Sequence, residues 1–160
     1  MIMKEQKTIV EKLLDQKKIK HQSYTFDVSE AVDGVTAANM INKPAEQVFK
    51  TLVTVGNKGN CVFVVPVAEE LDLKKRAKAS GQKYVEMIKQ KDLLRLTGYV
   101  HGGCSPIAMK KLFPTYIHSS CKDFDTIIFS AGRIGKQVEM SPGDLVKLTN
   151  AKIEDIIKEH

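Results

Sequence analysis

The chain has 160 residues, with 25 Lys+Arg against 19 Asp+Glu and a formal charge of +6, values that suit one soluble domain with a sizeable core. No apolar run approaches the roughly 20 residues of a membrane-spanning helix, and Met1 to Lys7 carry Glu5 and no apolar signal core, so the cytoplasm is the expected compartment. The basic balance permits a polyanionic partner such as RNA, but with no tryptophan, RGG run or RNP-type motif a stacking platform for single-stranded nucleic acid is not expected.

Residues 4–18 place Ile9, Leu13 and Leu14 on one face and predict an amphipathic first helix. Residues 24–28 alternate as a short strand. Residues 29–41 open with Ser29 and Glu30, hold Val32, Val35, Ala38 and Met40, and predict a second helix. Asn42-Lys43-Pro44 breaks it, and Pro44 is expected at the first position of a short helix through Val48. The clearest hairpin joins the β-rich runs 50–55 and 61–67 through five residues, Gly56 to Asn60. Residues 71–80 form a basic helix closed by Gly81, 85–88 a strand, and 91–96 a short helix ending near Gly98. Strands are expected at 99–101, 115–119, 126–130 and 137–140. Ser141-Pro142-Gly143-Asp144 then opens a helix through Leu148, and 153–157 closes the chain. Strands and helices mix without regular βαβ alternation, so the predicted class is α+β, in a single domain over 1–160.

Two segments carry chemistry. Lys50 lies inside the apolar run Val48-Phe49-Lys50-Thr51-Leu52-Val53, at the start of a strand, where a buried ammonium needs something negative opposite it. Snorkelling to solvent is the alternative. Gly102-Gly103-Cys104-Ser105-Pro106 lacks the Cβ atoms that would crowd a ligand and offers N–H groups to an anion or a polarised carbonyl. Together they predict a pocket for a small, polar, carbonyl-bearing ligand. Ser130 ends its strand in the turn Ser130-Ala131-Gly132.

The three cysteines, Cys61, Cys104 and Cys121, are odd in number and give no disulfide framework. His101 with Cys104 and His118 with Cys121 are ligand types that zinc accepts, yet no other cluster supports a metal site, and none is expected. Ser80 with Lys83 and Ser119 with Lys122 match a serine–lysine spacing that the abundance of lysine accounts for. There is no GxSxG, P-loop or GxGxxG, and no cofactor is expected.

In order along nearly the whole chain, Gln47 to Leu52, Val65-Pro66-Val67, Leu71 to Lys75, Val85-Glu86-Met87, Thr97-Gly98-Tyr99, Gly102 to Pro106 and Gly143-Asp144-Leu145 resemble the YbaK/EbsC family, related to the editing domain of bacterial prolyl-tRNA synthetases. The resemblance implies an α+β fold with a mostly antiparallel, partly rolled sheet flanked by helices. It implies trans-editing: a deacylase that clears cysteine from proline tRNA, Cys-tRNA(Pro), in which the substrate's own thiol attacks its ester and releases a thiolactone. The family lysine falls at Lys50, its neighbouring threonine at Thr51, its pocket tyrosine at Tyr24, its loop glycine at Gly102 and its strand-end serine at Ser130. Lys50 would hold an oxygen or phosphate of the tRNA end, Gly102 and Gly103 would stabilise the oxyanion, and Ser105 and Pro106 would line the substrate's loop. Two departures stand out: the family aspartate falls at Gln137, and a family aromatic at Asp33. The expected partners are aminoacyl-tRNA and, transiently, prolyl-tRNA synthetase, with no membrane and no DNA; the basic helix with Lys74, Lys75, Arg76 and Lys78 is the candidate for phosphate contacts, with a solvated helix face as the alternative. A non-catalytic tRNA- or synthetase-binding module and a small zinc-stabilised binding protein remain as alternatives.

Overall fold

A computed structural model describes residues 7–159. The first helix, α1 (Ile9–Gln16), starts in a capping box in which Thr8 and Glu11 each satisfy the other's backbone N–H. Its buried residues are Val10, Glu11 and Leu14, whereas Ile9 is 60% exposed. The inward face is therefore turned one residue from the expected one, because the Glu11 that caps the helix is also drawn inward to Lys136 at 3.1 Å. The expected turn at residues 4–6 lies outside the described residues.

Strand β1 (Gln22–Thr25) lies slightly earlier in the chain than the expected 24–28 and pairs antiparallel with residues 136–139. Helix α2 (Gly34–Met40) is shorter than the 29–41 prediction because Asp33, not Ser29, caps it, accepting from the Thr36 N–H at 2.8 Å. Pro44 is the cap of a 3₁₀ turn, Ala45–Gln47, rather than its first helical residue. Strands β2 (Phe49–Gly56) and β3 (Gly59–Pro66) form the expected hairpin, but Gly56 pairs with Gly59, so the turn is the two residues Asn57 and Lys58. The tighter turn is held by the segment just past α3 (Leu73–Ser80): Gln82 Oε1 accepts from the Lys58 N–H and Asn57 Oδ1 from the Lys83 N–H, both at 2.8 Å. Gly81 and Gly98 adopt the left-handed conformation that ends α3 and α4 (Gln90–Thr97); β4 (Val85–Met87) lies between them.

Residues 99–101 are not a strand but lead into a turn at residues 101–102. Gly102 sits at φ +85° and the Gly103 N–H folds back onto the Val100 carbonyl at 3.0 Å, which overrides the β preference of Tyr99 and Val100. Strands β5 (Thr115–His118), β6 (Ile127–Arg133) and β7 (Lys136–Met140) lie close to the expected positions. Ser141 caps α5 (Pro142–Thr149), with Pro142 in its first turn, and β8 (Lys152–Glu154) is the last strand.

The strands form two sheets. One, in the order β1-β7-β6, is antiparallel. The other runs β4-β2-β3-β5-β8, antiparallel through β4-β2-β3 and parallel from β3 through β5 to β8. Among the described residues a single parallel bridge, Val48 to Ile128, joins them. The α+β class and the mostly antiparallel pairing are as predicted, and the sheets are not closed into a barrel. Phe49, Val53, Ile117, Ile127, Phe129 and Leu145 are buried together with Val10 and Leu14; each such side chain contributes about 1.5–3 kcal/mol of burial. Among the described residues, no helix is long and apolar enough to cross a membrane.

Candidate active site

Where the two sheets meet, a cavity of about 440 Å³ opens. One wall is the start of β2, from Phe49 to Leu52, which has β3 on one edge; β4 joins its other edge only from Thr54 onward. The sequence therefore places Lys50 at an uncovered strand edge facing the hollow. Lys50 is half-buried, and no carboxylate stands within 4 Å of its ammonium among the described residues. Burial draws its pKa below the ordinary value, and the more distant Glu70 and Glu69 push it back up. Beside it, the Thr51 hydroxyl oxygen is buried without a hydrogen-bond partner, a situation that costs about 1–3 kcal/mol until a ligand relieves it.

The facing wall comes from the other sheet. Ser130 on β6 and Gln137 on β7 are cross-strand partners, and both line the cavity. Ser130 Oγ accepts from the Gly132 N–H at 3.1 Å, which leaves its own O–H proton to donate. Gln137 is 8% exposed, and its Oε1 has no partner. Phe26, Ala37, Val48 and Val67 supply apolar surface, and Asp33 reaches the rim with its carboxylate occupied by the Thr36 N–H and hydroxyl.

The glycine loop divides its duties. Gly102 lines the cavity, and its N–H has no acceptor among the described residues. Gly103 does not line it; its N–H is already given to Val100, so the expected second oxyanion donor is not available. It is glycine for packing: a Cβ there would stand 2.9 Å from the Ile134 nitrogen. Cys104 does line the cavity, but burial pushes its thiol up to about 12. Ser105 is fully buried outside the cavity and accepts from the Ile107 N–H at 3.3 Å. Pro106 faces a second hollow, of about 140 Å³, with Leu13 and Phe113.

Tyr24 is likewise outside the cavity. Its hydroxyl donates to Glu139, and the Lys43 ammonium lies 5.6 Å above its ring. The aromatic that lines the cavity is Phe26, which continues the chain past β1 with its N–H on the Gly135 carbonyl at 2.8 Å. Lys50, Thr51, Gly102 and Ser130 are thus brought together, while Tyr24, Gly103, Ser105 and Pro106 are not. Phe26 and Gln137 join the set. The histidine–cysteine pairs do not converge: His118 bonds Ser120 Oγ at 2.9 Å and Asp155 at 3.3 Å, and Cys121 is fully buried. Among the described residues, no group of three or more His, Cys, Asp or Glu side chains is placed to hold a metal.

Chemically, the cavity offers the Lys50 cation, the Gly102 backbone donor and four side-chain hydrogen-bonding groups, Thr51, His101, Ser130 and Gln137, beside the Asp33 carboxylate that caps α2. It offers no activated protein nucleophile: the Cys104 thiol is held protonated at neutral pH, and neither Ser130 nor Thr51 bonds a base. Such a site binds and orients a polar ligand.

Residues 29–148 match the family described as the aminoacyl-tRNA editing domain. EbsC of Enterococcus faecalis, a candidate Cys-tRNA(Pro)/Cys-tRNA(Cys) deacylase, is 46% identical over 154 residues, covering 95% of this chain and 94% of its own. YwhH of Bacillus subtilis, an uncharacterised protein, is 25% identical over 118 residues, 73% of this chain and 74% of its own. A crystal structure described as a candidate trans-editing enzyme for prolyl tRNA synthetase superposes with a TM-score of 0.79 at 24% identity over 87% of each chain, a likeness of fold.

Proposed function

This chain belongs to the family of aminoacyl-tRNA editing domains, and on that premise we propose that it is a trans-acting deacylase that removes cysteine from mischarged proline tRNA. The observation that carries the proposal is the pairing of an oriented cation, Lys50, with a cavity whose only thiol, Cys104, is held protonated by burial. An aminoacyl ester is already activated, so its cleavage depends on positioning more than on a strong protein nucleophile. The missing nucleophile is the substrate's own thiol. As thiolate it attacks the ester carbonyl: a C–S bond forms, the C–O bond to the ribose breaks, the ribose oxygen takes the proton, and tRNA leaves with a thiolactone as the other product. Lys50 holds the anionic or ester oxygens of the tRNA end, the Gly102 N–H stabilises the developing oxyanion, and Thr51 and Ser130 donate to the bound ester or ribose.

Recognition of the tRNA body falls to phosphate contacts, because no base-reading motif accompanies the basic surface. Selection of proline tRNA then comes from a transient complex with prolyl-tRNA synthetase, which holds that tRNA already. Deacylation of a panel of aminoacyl-tRNAs by purified protein, with and without the synthetase, tests both steps. Turnover of Cys-tRNA(Pro) is the expected result; binding without turnover would identify a non-catalytic tRNA-binding module instead.

A further inference from the structure

Among the groups that line the cavity, donors outnumber free acceptors. The Lys50 ammonium, the Gly102 N–H and the hydroxyls of Thr51 and Ser130 all belong to lining residues and can donate to a ligand's oxygens. The acceptors are mostly taken: Asp33 caps α2, and Ser130 Oγ receives the Gly132 N–H. The side-chain exceptions are His101, which is exposed, and Gln137, which is buried. The Gln137 side chain is more than nine-tenths buried and lines the cavity, and its amide oxygen bonds nothing. A buried amide left unpaired is a lasting penalty in the empty protein, relieved by a ligand that brings a donor. The oxygen as placed is shielded from solvent, and a half-turn about the terminal side-chain torsion, which is broad and two-fold, exchanges its position with that of the amide nitrogen.

We propose that Gln137 is a positioning residue whose amide oxygen accepts a hydrogen bond from the α-ammonium group of the bound amino acid. This rests on the deacylase reading above. In an aminoacyl ester the ammonium is the one cationic donor, and every other polar group near the ester is matched by a donor already present in the cavity. A hydrogen bond from a charged donor to a neutral carbonyl is among the stronger kinds. It fixes the amino acid at one end while Lys50 fixes the tRNA end, so the β-thiol has a single path to its carbonyl. Gln137 sits directly across from Ser130, on the sheet opposite Lys50, so the two ends of the reacting fragment are held by walls built from different sheets.

The test uses two stable analogues: adenosine with cysteine in 3′-amide linkage, and the same compound carrying 3-mercaptopropionate, which lacks only the α-amine. Binding is measured by calorimetry to the full chain and to Gln137→Met, Gln137→Glu and Asp33→Asn variants. Wild type is expected to bind the cysteinyl compound about tenfold more tightly than the amine-free one. Gln137→Met is expected to erase that ratio while still binding the amine-free compound as wild type does, and Gln137→Glu to restore it. Equal binding of the two compounds by wild type, or binding of neither, overturns the proposal. So does a ratio that survives in Gln137→Met, and one lost in Asp33→Asn alone would move the ammonium to the cap of α2. Cys-tRNA(Pro) turnover by wild type is scored alongside: the expected binding ratio without any turnover sinks the deacylase reading and leaves the Gln137 assignment standing.

Discussion

Ser130 and Gln137 face each other across the β6–β7 pair and together form the wall opposite Lys50. Apart from the family resemblance, neither residue marks itself in the sequence as part of a site. Their roles come from a register that puts a hydroxyl and an unpaired amide side by side at the junction of two sheets.

Lys50→Ala is expected to lower Cys-tRNA(Pro) deacylation by at least about tenfold while leaving the melting temperature close to wild type. Truncating a half-buried lysine with no ion pair removes little from the fold, whereas an oriented charge at a developing anion is not replaced by water. Turnover near wild type in this variant would remove Lys50 from the mechanism.

Cys104→Ala and Cys121→Ala are expected to keep most of the activity, since in the proposed mechanism the reacting thiol is the substrate's. Serine-charged proline tRNA is expected to be a much poorer substrate, because an alcohol is a far weaker nucleophile than a thiol partly ionised near neutral pH. A Cys104→Ala protein that folds normally by circular dichroism but has no activity would assign the chemistry to the protein instead.

Acid should weaken the fold through one buried pair. Burial alone would raise the Glu11 carboxyl, but hydrogen bonds from Ser23, the Thr8 N–H and Lys136 outweigh it and hold it at about 2 against an ordinary 4.5. A carboxyl depressed in the folded state stabilises fully above its unfolded value, and that contribution disappears as the pH falls from about 4.5 through 2. The difference is on the order of 3 kcal/mol. Urea midpoints measured at pH 7 and pH 3 should fall apart in wild type and draw together in Glu11→Gln; an equal fall in both proteins would place the acid sensitivity elsewhere.

Deacylation by the lone protein should fall steeply with salt and discriminate poorly between cysteine on proline tRNA and cysteine on cysteine tRNA. The expected basic helix contributes less to this than its sequence suggests. Lys75 is bound to Asp155 and to the Ile157 carbonyl, both at 3.0 Å, and Arg76 is half-buried, which leaves Lys74 and Lys78 exposed on α3. Lys74→Ala with Lys78→Ala should therefore flatten the salt dependence. An unchanged slope would show that α3 does not touch tRNA.

Much of the fold was legible because its signals are local. Ser141-Pro142, Gly81 and Gly98 mark helix ends through capping and left-handed geometry, and the β2–β3 hairpin is marked by two β-rich runs around glycines. The site was legible only in part. Lys50 and Gly102 announce themselves by a charge in an apolar run and by a missing Cβ. Tyr24 and Phe26, two residues apart, satisfy the same alternation, and only tertiary packing sends one to Glu139 and the other to the cavity. Gly103 shares its neighbour's sequence signal, yet its N–H is spent within the turn. The resemblance marked Gln137 only as a departure, and its part in the cavity shows in what it fails to touch.

The single bridge from Val48 to Ile128 makes the site a seam between two separately laid fabrics. One carries the lysine proposed to hold the nucleic-acid end, and the other carries the groups proposed to meet the amino acid. Ser130 and Gln137 on the β6–β7 hairpin belong to no rung of the β2–β3 ladder and lie outside the shared core of Phe49, Val53, Ile127 and Phe129. A repertoire of amino-acid preferences is thereby open to this architecture from one hairpin alone, with the handhold on tRNA left as it is.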